Sequence, residues 1–110
     1  MSNTYELKPR YISQKSFYRK AFVTVTNYSA DVCYCLRSYN TYVVSLYVGR
    51  DGIPYVKKLW KGYSATTSRH VNEFLMQNGF PGLTARAWRA MEVGEFYSPD
   101  DVPALEKSLK

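Results

Sequence analysis

One amphipathic segment, residues 62–80, constrains the fold more than any other part of the chain. Within it, Val71, Phe74 and Leu75 recur at helical spacing and form a single apolar stripe. Hydroxyl-bearing residues that favour helix starts precede the stripe, and a glycine and then a proline end it. We therefore predict a central helix over residues 66–78, with one face buried in the core.

The chain before this helix alternates between polar and apolar side chains, which is the pattern of β-strands with one buried face. Asp51-Gly52 lies between two such segments and is a strong hairpin signal. The predicted strands are approximately residues 20–27, 32–38, 41–49 and 53–60. Strands followed by helices indicate an α+β fold: an antiparallel sheet of about four strands, the central helix, and one or two short C-terminal helices.

The junction between the second and third predicted strands has two interpretations. Asn40 tolerates a left-handed conformation, which would allow a tight hairpin. Tyr39, Thr41 and Tyr42 favour extended geometry, so a continuous bent strand also fits the sequence.

The length of 110 residues indicates one domain with one modest core. Its predicted parts are a basic irregular arm over residues 1–15, the sheet over 16–61, the central helix, and C-terminal helices over 84–110. No apolar run is long enough to span a membrane, and the N-terminus lacks the apolar region of a signal peptide. We therefore expect a cytosolic protein with no membrane partner.

Charge is distributed unevenly along the chain. The net charge of +6 consists of +9 through Met91 and −3 over residues 92–110. A basic body favours an anionic partner, and the acidic end would be either a self-masking segment or a separate contact. Lys57, Lys58 and Lys61 would give the last predicted strand a basic edge, and their alternative role is to prevent edge-to-edge aggregation.

The start of the central helix is the strongest candidate for a binding site. Two hydroxyls, a fixed positive charge and an imidazole lie beside the unpaired N–H groups of a helix start, which suits phosphate or another anion. These side chains belong to Thr66, Thr67, Arg69 and His70. The alternative interpretation is structural: the hydroxyls cap the helix, Glu73 neutralises Arg69, and His70 is a packed or surface histidine.

Polar residues at the strand junction would complete the same site. Ser38 and Asn40 would supply hydrogen bonds, and Tyr39 would supply a ring that stacks on a flat ligand. In an α+β domain, strand ends and helix starts can meet at one site. We therefore predict a ligand site in which these three residues join the helix start.

Signatures of catalysis and of cofactor binding are absent from the sequence. There is no Gly-rich phosphate loop, no second histidine and no pair of carboxylates near His70. Cys33 and Cys35 would share a strand face, where a disulfide between them would be strained, so we expect thiols in a reducing compartment. A single histidine supplies a zinc site poorly. We expect no catalytic residue, no metal and no cofactor.

Three blocks of the sequence follow a pattern found in other proteins. They read SFYxKA from Ser16, LxSYNTxV from Leu36, and GYSATTSRHVNEFL with QNGF between Gly62 and Phe80. The pattern resembles a family of small uncharacterised proteins of bacteriophages and Gram-positive bacteria. The third block is specific and the others are weaker, and residues 81–110 lie outside the resemblance. The resemblance implies that the protein belongs to a phage or mobile element and therefore acts in the host cytoplasm. It implies no mechanism.

These features together favour a small, non-enzymatic counter-defence binding protein of phage type. Its ligand would carry phosphate, as a nucleotide signal or nucleic acid does, and would lie at residues 66–70. The alternative is a protein-directed, anti-CRISPR-like inhibitor that docks onto a host defence enzyme through aromatic and arginine side chains. We also expect that a homodimer can form, since a tyrosine-rich sheet leaves one face to cover.

Overall fold

The computed structural model describes residues 2–11, 19–28 and 30–107. Six antiparallel strands form one sheet, in which the spatial order of the strands follows the sequence. The strands are β1 (Ser2–Glu6), β2 (Ala21–Asn27), β3 (Val32–Ser38), β4 (Thr41–Val48), β5 (Pro54–Lys58) and β6 (Phe96–Tyr97). The helices are α1 (Ala65–Gln77), α2 (Ala85–Ala90) and α3 (Val102–Glu106), with a short 3-10 helix at Pro99–Asp101. The α+β class is as predicted.

The sheet has six strands, whereas the sequence predicts about four. β1 lies within the predicted irregular arm and pairs with β2, with Thr4 opposite Thr24. β6 contains only Phe96–Tyr97 and pairs with β5. Neither strand carries an apolar alternation, because one is a polar edge strand and the other has two residues. Both are extended because a neighbouring strand supplies hydrogen-bond partners, which local sequence does not reveal. Residues 12–15 of the predicted arm lie outside the described residues.

The core lies between one face of the sheet and the helices. In β2, Ala21 and Val23 are buried, which confirms the predicted alternation. Helix α1 packs on β3 and β4, and its apolar stripe enters the core as predicted. Among the core side chains with almost no exposure, the largest apolar ones are Leu7, Leu36, Leu46, Phe74, Leu75 and Phe80.

A β-bulge in β4 shapes the end of the β3–β4 hairpin. Leu36 is opposite Val44, whereas the next residue of β3 is opposite Tyr42, so Val43 is the additional residue. The carbonyl of Val43 accepts hydrogen bonds from the N–H groups of residues 59 and 60. Val43 and Val44 are consequently both buried, although neighbouring residues of a regular strand would face opposite sides.

Helix α1 agrees closely with the prediction of residues 66–78. The Ser64 hydroxyl accepts from the N–H of Thr67 at 3.0 Å and caps the helix start. At the other end, Gly79 has a φ of 79°, and the N–H of Phe80 donates to the carbonyl of Leu75 at 2.9 Å. Among the described residues, none of the helices has the length and apolar character needed to cross a membrane.

Lys58 does not form part of an exposed basic edge, contrary to the prediction. β5 is not an edge strand, because β6 pairs with it, and the Lys58 side chain is buried with 4% exposure. Its ammonium donates to the carbonyls of Trp88 at 2.7 Å and Met91 at 3.2 Å, at the C-terminal end of α2. Burial lowers the pKa of Lys58, while the negative end of the helix dipole favours the ammonium. Lys58 is therefore a buried anchor between sheet and helix.

Removal of this ammonium is expected to destabilise the fold, because two carbonyls would lose their charged donor. We expect Lys58→Ala to lower the free energy of unfolding by about 2 kcal/mol, measured by urea denaturation. Lys57→Ala is the matched control, since Lys57 lies on the opposite face of β5 and is only half-buried. It should cost less than about 1 kcal/mol. Equal losses in the two variants would contradict the anchoring role.

Candidate functional site at the Tyr39 turn

The β3–β4 hairpin has a two-residue turn formed by Tyr39 and Asn40, because Ser38 pairs directly with Thr41. The tight hairpin is thus observed, and the continuous bent strand is not. Tyr39 has a φ of 56°, so the left-handed residue of the turn is Tyr39 and not Asn40. A positive φ at the first turn residue alone is the pattern of a type II′ turn, where glycine is usual. For tyrosine this conformation costs about 1–2 kcal/mol.

The strained turn holds the Tyr39 ring in a defined place. The N–H of Tyr39 donates to the carbonyl of Lys20 at 2.6 Å, and the Lys20 ammonium lies 5.9 Å from the ring centroid. The ring centroid is 5.8 Å from that of His70, with the two rings tilted by 41°. Tyr39 nevertheless keeps 47% of its surface exposed. The ring therefore lies close to both neighbours and still exposes about half of its surface.

Beneath the ring lies a buried cluster of three polar side chains. Ser38 Oγ is 2.7 Å from His70 Nδ1 and 3.2 Å from Thr67 Oγ1. His70 has 0% exposure, and the other two side chains are also buried. Which atom donates in each bond depends on the tautomer of the imidazole and the rotation of the hydroxyls. This cluster attaches the end of β3 to the first turns of α1.

Thr66 and Arg69 lie on the accessible part of the helix start. Both are half-buried, and Thr66 precedes His70 by one helical turn, which places the two on the same side of α1. Within the described part of the chain, no hydrogen bond or ion pair engages the Arg69 guanidinium. A fixed positive charge is thus available beside the positive end of the α1 dipole.

A family model matches residues 5–90, about four-fifths of the chain. The chain belongs to DUF8033, a family of unknown function. The matched region includes the Tyr39 turn and all of α1. The expectation that the chain belongs to an uncharacterised family is confirmed. No curated protein and no solved structure matches the chain.

In this DUF8033 protein, the predicted site residues divide into two groups. Ser38, Thr67 and His70 come together as expected, but in the interior, where a surface-bound ligand does not reach them. The accessible group is Tyr39, Asn40, Thr66 and Arg69. The sequence reasoning did not include Lys20, whose position beside the ring depends on the backbone bond between residues 20 and 39.

Glu73 is a buried carboxylate whose role the sequence reasoning missed. Its two oxygens accept from the N–H groups of Arg10 and Tyr11, both at 2.9 Å, and from the Gln77 side-chain amide at 2.6 Å. The same amide donates to the carbonyl of Lys8 at 2.7 Å. Within the described residues, no ion pair joins Glu73 to an arginine. In the sequence, this role is indicated by a carboxylate within the predicted amphipathic helix. In the structure, Glu73 fixes the arm to α1.

A second feature of the helix start is a crevice on its other side. It has about 230 Å³ of empty space, part of which is open to solvent, and mostly apolar walls. It is lined by Trp60, Tyr63, Ser64, Thr67, Ser68, Val71, Asn72, Leu83 and Trp88. This volume is below the range of about 300–1,000 Å³ that small-molecule sites occupy.

The three predicted surface lysines do not form one patch. Lys58 is buried, as described above, while Lys57 faces the opposite side of the sheet with its ammonium 5.1 Å from the Phe96 ring. Lys61 is exposed in the loop before α1. A single basic edge is therefore not part of the candidate site.

The described residues contain no group of three or more His, Cys, Asp and Glu side chains that could hold a metal ion. Cys33 and Cys35 are free thiols, as predicted. Burial raises the pKa of both, so the thiolate, which is the reactive form, is disfavoured at neutral pH.

Glu73→Gln is expected to release the arm, because an amide oxygen can replace only one of the two carboxylate acceptors. The N–H groups of Arg10 and Tyr11 should exchange with deuterium at least about tenfold faster, which corresponds to about 1.4 kcal/mol. Glu95→Gln, at an exposed position, should leave both rates unchanged. Unchanged exchange in Glu73→Gln would contradict the anchoring role.

Proposed function

We propose that this DUF8033 protein is a non-enzymatic binding protein that holds a phosphate-bearing ligand, a nucleotide or a nucleic acid, on its turn surface. The turn surface consists of Lys20, Tyr39, Asn40, Thr66 and Arg69. We also propose that this binding serves phage counter-defence, and this part of the proposal rests on the sequence resemblance alone.

The strained conformation of Tyr39 is the observation that carries the proposal. A tyrosine in the left-handed region is uncommon, and such strain persists where surrounding contacts enforce it, often at binding sites. Glycine would fit this turn without strain. A large ring at this position, about half exposed, supports a function in stacking on a flat group such as a nucleobase.

The positive charges at the turn and at the start of α1 support an anionic ligand. Lys20 contributes an ammonium beside the ring, and Arg69 contributes a guanidinium that can bind phosphate with two parallel hydrogen bonds. Thr66 adds a hydroxyl at the positive end of the helix dipole. Base stacking and phosphate recognition would thus occur on adjacent parts of one surface.

The buried cluster has a supporting role in this proposal. Ser38, Thr67 and His70 fix the turn relative to α1 and do not contact the ligand. Their hydrogen bonds keep the Tyr39 ring and the Arg69 region in one relative position, which reduces the entropy that a ligand must overcome on binding.

Tyr39→Gly separates function from folding. Because glycine relieves the backbone strain while the ring contact with His70 is lost, we expect stability within about 1 kcal/mol of the wild type. Ligand binding should be lost. The measurement is the shift in melting temperature produced by mono-, di- and cyclic nucleotides and by short RNA and DNA.

Arg69→Ala tests the phosphate contact in the same screen. It should weaken binding about tenfold or more, since a charged hydrogen bond contributes about 1.5–3 kcal/mol. Arg86→Ala, at an exposed position of α2, is the control and should bind normally. A Tyr39→Gly variant that binds as well as the wild type would contradict the proposal. If none of these compounds stabilises the wild type, docking onto a protein becomes the better explanation.

A further inference from the structure

We propose that the face of the sheet opposite the helices is a second binding site, and that it binds single-stranded nucleic acid by base stacking. This open face is defined by Phe22, Arg37, Tyr47, Tyr55, Lys57 and Phe96. It lies apart from the turn surface, and the proposal does not depend on the function proposed for that surface.

Strand register places these side chains on one side. Residues directly opposite one another on neighbouring antiparallel strands point to the same face. Phe22 is opposite Arg37, Tyr47 is opposite Tyr55, and Lys57 is opposite Phe96. The alternate residues of the same strands belong to the core on the other side. Within the described residues, the helices contribute to that core, so they cover only the other face.

The open face contains aromatic rings that reach solvent. Phe96 is 54% exposed and Tyr55 is 40% exposed. Tyr47 is half-buried, and its ring meets that of Phe96 edge-on at a centroid distance of 5.3 Å. Exposed rings on a flat sheet can stack on nucleobases without regard to sequence, because every base has a π-face.

Each end of the open face pairs a ring with a cation. The Arg37 guanidinium lies 5.0 Å from the Phe22 ring, and the Lys57 ammonium lies 5.1 Å from the Phe96 ring. A base on the ring would bring its phosphate towards the neighbouring cation. Each pair would thus engage one base and one phosphate of a bound strand.

The charge of the face is complementary to a polyanion. By register, the open-face residues of β2–β6 include the cations Arg37 and Lys57 and no carboxylate. Glu6 on the outer strand β1 shares this face, and its carboxylate accepts from the N–H of Arg19. Asp31 and Asp51 lie beyond Tyr47, in a hollow at the end of the sheet. These two carboxylates mark the limit of the cationic region at that end of the sheet.

The dimensions and shape favour a single strand. Phe22 and Phe96 are separated by four strand-to-strand spacings of about 4.8 Å, or about 19 Å in all, which is enough for several nucleotides. Thr24, Cys35 and Ser45 lie in the same register row as the Lys57–Phe96 pair, and their side chains are small. A duplex keeps its bases stacked inside, where these rings would not reach their π-faces.

The proposal is tested with fluorescently labelled 12-nucleotide oligo-dT and oligo-U at about 50 mM salt, measured by fluorescence anisotropy. We expect Tyr55→Ala and Phe96→Ala each to weaken binding about tenfold. Lys57→Ala should weaken it less and reduce the slope of log K against log salt concentration by about 1. Both aromatic positions are well exposed, so these variants should fold, and a circular dichroism melt checks this.

Tyr63→Ala is the matched control. Tyr63 is also an exposed tyrosine with a cation over its ring, Arg89 at 4.7 Å, but it lies beside the helices. It should bind the oligonucleotides normally. Phe96→Ala should keep any response of the turn surface to mononucleotides, so the two proposals can fail separately.

Four outcomes would overturn the inference. The first is no binding of either oligonucleotide by the wild type, and the second is an equal loss in Tyr63→Ala and Phe96→Ala. The third is a dimer by sedimentation analysis that Phe96→Ala dissociates, which would assign the open face to a second copy of the chain. A 12-base-pair duplex that binds as tightly as the single strands would contradict the stacking mechanism.

Discussion

The hydrogen bond between Ser38 and His70 joins the two halves of this protein, because Ser38 ends β3 and His70 lies within α1. Both side chains are buried, and burial of either one without a polar partner would destabilise the fold. Thr67 adds a third group to the same cluster. Apolar packing alone would tolerate a small rotation or sliding of α1 on the sheet. The polar cluster selects one position, and the geometry of the Tyr39 turn depends on it.

The same logic applies to Glu73 and Lys58, which are buried charged side chains. Glu73 fixes the arm to α1, and Lys58 fixes the end of α2 to β5. In each case a side chain supplies hydrogen-bond partners for backbone groups that regular structure leaves unpaired. Helix positions in this small domain are therefore set by buried polar contacts in addition to the apolar core.

The two proposed binding surfaces use different properties of the sheet. The turn surface depends on strain, since the backbone holds one ring in a conformation that tyrosine normally avoids. The open face depends on regularity, since undistorted register aligns several rings and cations. The bulge at Val43 separates these regions of β4. A sheet with one face in the core can thus present both its end and its second face to ligands.

The sequence determined the α+β class, the limits of α1 and the identity of its buried stripe, because these follow from local periodicity and capping residues. It also indicated that Ser38, Thr67 and His70 belong together. Only the tertiary structure decided that they meet in the interior and that Tyr39, not Asn40, adopts the left-handed conformation. Strands β1 and β6, buried Lys58 and buried Glu73 likewise depend on partners distant in sequence. The sequence pattern around a residue indicates its local conformational preference, whereas its burial and backbone strain depend on which elements pack together.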